Sequence, residues 1–193
     1  EMDSGVYYSF YSIWGSSAEN VFAVGYDGQI THYDGITWTE MSSGTSNRLY
    51  AVWGSSENNV FAVGENGSIF HYDGTSWTEM ANPLNGTTND IYGIWGCSAS
   101  DVFAVGYDGK ILHYDGSSWI EMDSGTMSSL YGVWGSSASD VFAVDSLGKI
   151  HHYNGSAWSE VETPLYDTYD NMYAIWGTST SESFAVGDYG VLI

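Results

Sequence analysis

Basic residues are almost absent from this chain. Arg48, Lys110 and Lys149 stand against 24 Asp and Glu, a formal net charge of −21 over 193 residues. That imbalance excludes nucleic acid as a partner, because neutralising phosphates takes Lys and Arg. It also removes electrostatic attraction to anionic membrane surfaces. It suits solubility, cations, basic partners, or high salt, where self-repulsion is screened. Cysteine is reduced to Cys97, so no disulfide can form within the chain. Cys97 takes the place held by Ser16, Ser55 and Ser136 in equivalent stretches, and is expected to be a small buried residue rather than a reactive thiol. No run is long and apolar enough for a membrane-spanning helix, so direct membrane insertion is not expected. No leader or lipidation motif is visible, and a first residue other than Met is compatible with a removed leader. Sustained helical periodicity is missing throughout.

Catalytic motifs are missing too. There is no Gly-x-Ser-x-Gly elbow, no Cys with a partner His, and no phosphate-binding glycine loop. Nearly every acidic residue sits at a repeated position or in a short loop, so the chain is not expected to be an enzyme.

What the chain has in abundance is repetition. Trp-Gly pairs recur at Trp14, Trp53, Trp95, Trp134 and Trp176, with spacings of 39, 42, 39 and 42 residues. All nine tryptophans occupy two repeat positions, the second being Trp38, Trp77, Trp119 and Trp158. The longer units carry three extra residues after that second Trp, in 81–90 and 161–170, each containing Pro-Leu. Equivalent residues therefore also recur at 81, as from Pro83 to Pro164, which points to a duplicated two-repeat unit.

Each unit divides into four segments with strand character, typified by Leu130 to Trp134, Val102 to Val105, Lys110 to Tyr114 and Ser118 to Met122. The second is apolar at every position, as in a strand buried on both faces. The fourth mixes apolar and acidic residues, as on a half-exposed outer edge. Segments two and three meet at Asp-Gly or Asn-Gly (Asp27-Gly28, Asn66-Gly67, Asp108-Gly109), the signal for a tight hairpin. Four antiparallel strands per unit of about 40 residues predict an all-β fold, a five-bladed β-propeller. Its blades would span approximately 6–44, 45–86, 87–125, 126–167, and 168–193 plus 1–5, forming a single domain over 1–193. Residues 1–5 align with a fourth strand and 190–193 with a third, so an N-terminal strand is expected to complete the last blade and close the ring.

The repeats Val133-Trp-Gly-Ser-Ser-Ala-Ser-Asp-Val-Phe-Ala-Val144 and His113-Tyr-Asp-Gly-Ser-Ser-Trp119 resemble those of secreted bacterial and archaeal β-propeller proteins, loosely grouped with BNR (Asp-box) and Ycf48-like repeats. The resemblance covers all 193 residues and implies the propeller fold. The Asp-box spacing itself is not matched, since Gly116 follows Asp115 at once, so no sialidase chemistry is carried over. In blade number the chain is similar to the five-bladed lectin tachylectin-2, which implies one sugar pocket per blade.

The repeated His32, His71, His113 and His152 would sit one per blade, too far apart to share an ion. They are expected to be structural, bonding a neighbouring turn or packing on Tyr. The repeats vary most at the turns between segments two and three and at the links 42–48, 81–90, 123–129 and 161–171, which a four-stranded blade places on one face. Candidate ligand-binding residues there are Tyr26, Asp27, Asn66, Tyr107, Asp108, Asp145, Tyr166, Tyr169, Asp188 and Tyr189. Tyr beside Asp or Asn suits docking of a protein or stacking on a sugar. The expectation is a non-enzymatic extracellular or cell-surface adhesion scaffold that docks a protein or its own neighbours. The alternative is a lectin-like glycan binder. No cofactor is required, although Ca²⁺ could join a glycan, and the mid-blade ends offer a route to self-association.

Overall fold

A computed structural model describes residues 9–162, 170–179 and 182–190. Its regular structure is β throughout, apart from single 3-10 turns. The first sheet contains β1 (Phe10–Ser17), β2 (Asn20–Gly25), β3 (Ile30–Tyr33) and β4 (Trp38–Met41) in that order. The second contains β5 (Leu49–Ser56), β6 (Asn59–Gly64), β7 (Ile69–Tyr72) and β8 (Trp77–Glu79). The third contains β9 (Ile91–Ser98), β10 (Asp101–Gly106), β11 (Ile111–Tyr114) and β12 (Trp119–Met122). The fourth contains β13 (Leu130–Ser137), β14 (Asp140–Asp145), β15 (Ile150–Tyr153) and β16 (Trp158–Val161). The fifth contributes β17 (Met172–Ser179) and β18 (Glu182–Gly187) among the described residues. The expected closing strand at 1–5, and residues 191–193, lie outside the described residues.

The first strands run longer than their sequence suggests. Gly-Ser-Ser reads as a turn but continues the strand to Ser17 or Ser137, where Ser17 pairs with Asn20 and Ser137 with Asp140 across a two-residue turn. The chain divides into two compact units, Glu1–Ile91 and Tyr92–Ile193.

In the first unit, Phe22, Val24 and Ile30 of blade one share a core with Leu49, Val52, Val60, Ala62, Phe70 and Trp77 of blade two. The first strands of adjacent blades lie close together, β1 with β5. Trp14 lies over Gly54, where an added Cβ would come within 2.7 Å of the indole. The Trp-Gly pair is thus read by two neighbours: a blade's Trp covers the next blade's Gly.

The second unit repeats the rule. Trp95 covers Gly135, and Trp134 covers Gly177. One core joins Phe103, Val105 and Ile111 to Leu130, Val133, Val141, Ala143 and Trp158. Another joins Trp134 and Val144 to Met172, Ile175 and Ala185.

The repeated histidines are structural partners, and their aromatic neighbour differs from the one expected. Each packs on a Phe of the second strand rather than on Tyr: Phe22–His32, Phe103–His113 and Phe142–His152 stack at 4.4 Å, and Phe61–His71 is tilted at 4.7 Å. Three of them meet a neighbouring turn, through the residue that closes it and opens that strand, His71 with Asn59, His113 with Asp101 at 3.2 Å and His152 with Asp140 at 2.7 Å. Burial lowers the pKa of His32 and His71, so both are neutral at pH 7. Cys97, expected to be buried, is exposed, because its side chain leaves the strand on the solvent side. Partial desolvation of the sulfur by its neighbours, and then the negative charge of Asp101, push the thiol pKa up, which disfavours the reactive thiolate.

Candidate functional site: a tyrosine rim beside the turn face

The turns between second and third strands form as their sequence requires. Asp27, Asn66 and Asp108 adopt left-handed φ of 56°, 57° and 55°, each followed by a glycine that is also left-handed. Asp and Asn tolerate this region because their short polar side chains find local partners, and glycine has no Cβ to clash. The following link packs directly against the turn. A Cβ on Gly28, Gly67 or Gly109 would stand 2.1 Å from the carbonyl oxygen of Thr45, Leu84 or Thr126 respectively. Turns and variable links therefore share one face within each of the first three blades.

The opposite face is uniform. Asp34, Asp73, Asp115 and Asn154 each use a side-chain oxygen to accept two backbone N–H groups of their own turn. The hydroxyls of Thr75 and Ser117 add a third bond and hold the Asp73 and Asp115 carboxyls at about 2.

On the variable face, Tyr26, Asp27, Asn66, Tyr107, Asp108 and Tyr189 are exposed and Asp188 is half-buried. Tyr166 and Tyr169 lie outside the described residues. Asp145 departs from expectation. It is buried, and its carboxylate accepts from Leu147 N–H at 2.9 Å and Lys149 N–H at 2.8 Å, with His151 Nε2 at 3.1 Å. A side chain so fully engaged offers nothing to a ligand. The fourth turn places Leu147 where the first three have Asp or Asn, and Leu147 is not among the left-handed residues. The Asp145 carboxylate shapes the loop instead.

Tyr189 carries the left-handed conformation, φ 53°, with no such excuse. A bulky residue held there is strained, and its ring is 94 % exposed. Tyr189→Gly should raise stability by about 0.5–1 kcal/mol, because glycine removes a clash of about 1–2 kcal/mol but gains unfolded-state entropy. An unfolding midpoint in urea that is unchanged or lower would show that no strain is stored at Tyr189.

The site also contains residues that the sequence did not single out. Tyr11, Tyr50, Tyr131 and Tyr173 each sit at a register shift where the first strand meets the second. Such a bulge re-aims one side chain. In the first unit Tyr11 and Tyr50 pack with ring centroids 5.8 Å apart. In the second, Tyr92, Tyr131 and Tyr173 form a row at 5.3 and 5.7 Å. Tyr occupies this position in all five repeats, three residues before the Trp. The repeat is visible in the sequence, but nothing in residue order marks the bulge that re-aims the side chain.

Acidic turn residues anchor the rim. Glu65 accepts from Tyr50 Oη at 3.4 Å and from Arg48 N–H at 2.8 Å, and its carboxylate lies 3.3 Å from Arg48 Nη1. The Arg48 guanidinium stands 5.2 Å over the ring of Tyr26. In blade five Asp188 repeats the role, accepting from Tyr173 Oη at 2.9 Å and Asn171 Nδ2 at 2.8 Å. Those bonds depress the Asp188 pKa, Asn171 first and then Tyr173. Burial raises the hydroxyl pKa of Tyr50, and the Asp188 acceptor raises that of Tyr173, so both remain donors at neutral pH. Among the described residues, no three His, Cys, Asp or Glu side chains converge to hold a metal ion.

Four-stranded antiparallel blades repeated along the chain, packed Trp on Gly, define a β-propeller repeat protein. No protein-family model matches the chain, and no curated protein matches it. Solved structures show the same fold. Ycf48 bound to D1 peptide superposes with a TM-score of 0.72 at 15 % identity, over 96 % of this chain and 62 % of that one. The WD40 β-propeller domain of Doa1 gives 0.79 at 12 % identity, over 96 % and 64 %. Ycf48 from Cyanidioschyzon merolae gives 0.69 at 15 % identity, over 96 % and 66 %. The chain therefore spans less than two thirds of the length of each.

Proposed function

We propose that this chain is a non-enzymatic binding scaffold at the cell surface or outside the cell, whose turn-and-link face docks a Lys- or Arg-bearing segment of a protein partner. The observation that carries this reading is the row of tyrosines re-aimed by strand bulges beside acids fixed by hydrogen bonds. Rigid aromatic faces attract cations and lose little entropy on contact. A net charge of −21 steers a basic partner and repels an acidic one. Ycf48 in complex with a peptide supports the reading, since it is a propeller of this fold holding a protein segment.

Fluorescence-polarisation titration against a set of basic, neutral and acidic peptides tests it. Basic peptides should bind preferentially and weaken as salt rises. Tyr131→Ala should lower affinity about tenfold, the size of a lost aromatic contact of 1–2 kcal/mol. Equal binding of acidic and basic peptides would sink the proposal. The five-fold recurrence of the rim tyrosine favours a second reading, a glycan binder that reuses one aromatic contact per blade. A glycan array with and without Ca²⁺ separates the two.

A further inference from the structure

Packing between adjacent blades follows one pattern in both units. A blade's forward face carries the Trp of its first strand and the Phe of its second. The next blade's rear face receives them with a β-branched residue before its own Trp, with its Gly, and with the Tyr and Trp of its third and fourth strands. Thus Phe22 lies 5.4 Å from Tyr72 and 5.9 Å from Trp77. Phe103 makes the same contacts with Tyr153 and Trp158 at 5.8 and 6.3 Å.

Two faces with these same residues are open to solvent. On the rear face of blade one Ile13 is 65 % exposed, whereas its counterpart Val133 is 9 % exposed. Ile13 lines a groove of about 620 Å³ with Tyr11, Ala23, Thr31 and Trp38. The three atoms nearest to a Cβ on Gly15 belong to its own blade, whereas Gly54, Gly135 and Gly177 each have a Trp among theirs. On the forward face of blade five Trp176 is 61 % exposed against 8 % for Trp134, and Phe184 is 53 % exposed although Phe103 is fully buried. Contiguous apolar surface of this kind marks an interaction site.

We propose that these faces are the two halves of one interface, and that the chain associates head to tail with a second copy. Trp176 of one copy seats on Gly15 of the next, and Phe184 packs against that copy's Tyr33 and Trp38. The occupant follows from the chain's own packing, since each exposed residue has a counterpart already buried by the matching face. Tyr33 and Trp38 lie 5.2 Å apart, close to the 5.4 Å separating Tyr72 and Trp77, which receive Phe22. The contact is heterologous, so it builds rings or open chains of copies rather than a symmetric dimer. This association does not rest on peptide binding, and its salt dependence has the opposite sign. Copies carrying −21 each repel, so salt strengthens the contact.

Sedimentation velocity on the wild-type chain should show association that increases with salt, up to about 1 M, where the Debye length is about 3 Å. Ile13→Asp and Trp176→Asp each leave one face intact and block the other, so each should be monomeric alone. Mixed in equal amounts they should form a dimer and nothing larger. Both residues are exposed, and unchanged near-ultraviolet circular dichroism verifies the fold of each variant. A wild-type monomer in high salt overturns the proposal, whether one chain covers its own faces, further blades occupy them, or they stay bare. Failure of the mixture to pair overturns it too.

Discussion

Asp145→Ala should destabilise the protein by about 2–5 kcal/mol, because it removes hydrogen bonds to a charged acceptor and leaves each former partner unsatisfied at a cost of about 1–3 kcal/mol. The carboxylate occupies the position of Gly25, Gly64, Gly106 and Gly187 at the end of the second strand. It joins the loop to the third strand through Leu147 N–H, Lys149 N–H and His151 Nε2. Alanine would leave two part-buried N–H groups and a buried imidazole without their acceptor, and His151 Nδ1 already lacks a partner. Burial alone would raise the Asp145 pKa. The His151 bond, followed by those from Lys149 and Leu147, outweighs it, and the folded-state pKa lies below the ordinary carboxylate value. The contribution of the Asp145 carboxylate is therefore present above the unfolded-state pKa of about 3.9 and is lost as pH falls through the lower folded-state value. Urea unfolding followed from pH 7 to pH 3 should show wild type losing stability at the acid end, with the gap to Asp145→Ala narrowing there. A constant gap across that range would disprove the linkage. The combined change Asp145→Gly, Leu147→Asp, His151→Leu restores the turn of blade three and should recover most of the loss.

Phe103→Ala should cost about 3–5 kcal/mol, the usual range for truncating a buried aromatic. Phe103 is fully buried, stacks on His113 at 4.4 Å and meets Trp158 edge-on at 6.3 Å, so its ring ties blade three to blade four. The surrounding side chains are β-strand residues fixed by sheet hydrogen bonds and cannot collapse into the space left behind. Phe103→Leu keeps most of the volume and should cost less than about 1.5 kcal/mol. Denaturant unfolding monitored by tryptophan emission reads both. A loss under about 1 kcal/mol for alanine would mean that the blades are held together elsewhere.

Much of the fold was legible in residue order because its signals are local and repeated. Asp27-Gly28 and Asn66-Gly67 specify a left-handed hairpin wherever they occur, and Val-Phe-Ala-Val is apolar on both strand faces wherever it occurs. The sharing of one face by turns and links also followed from four-strand topology, and the close approach of Gly28, Gly67 and Gly109 to their links bears this out. The candidate site was only half legible. Its exposed turn residues were found, but the tyrosine rim was not, because a bulge reverses the alternation by which strand residues are sorted into core and surface.

By itself, then, the sequence determined the blade repeat, the strand order and the turns, each set by side-chain and backbone chemistry within a few residues. Tertiary structure alone decided what each copy of a repeated residue meets. Asp145 is buried because His151 faces it from the next strand, and Cys97 is exposed although its neighbours pack. Trp134 is covered while Trp176 is bare. The same residue in the same local context takes either state, because its burial depends on whether another blade lies against it.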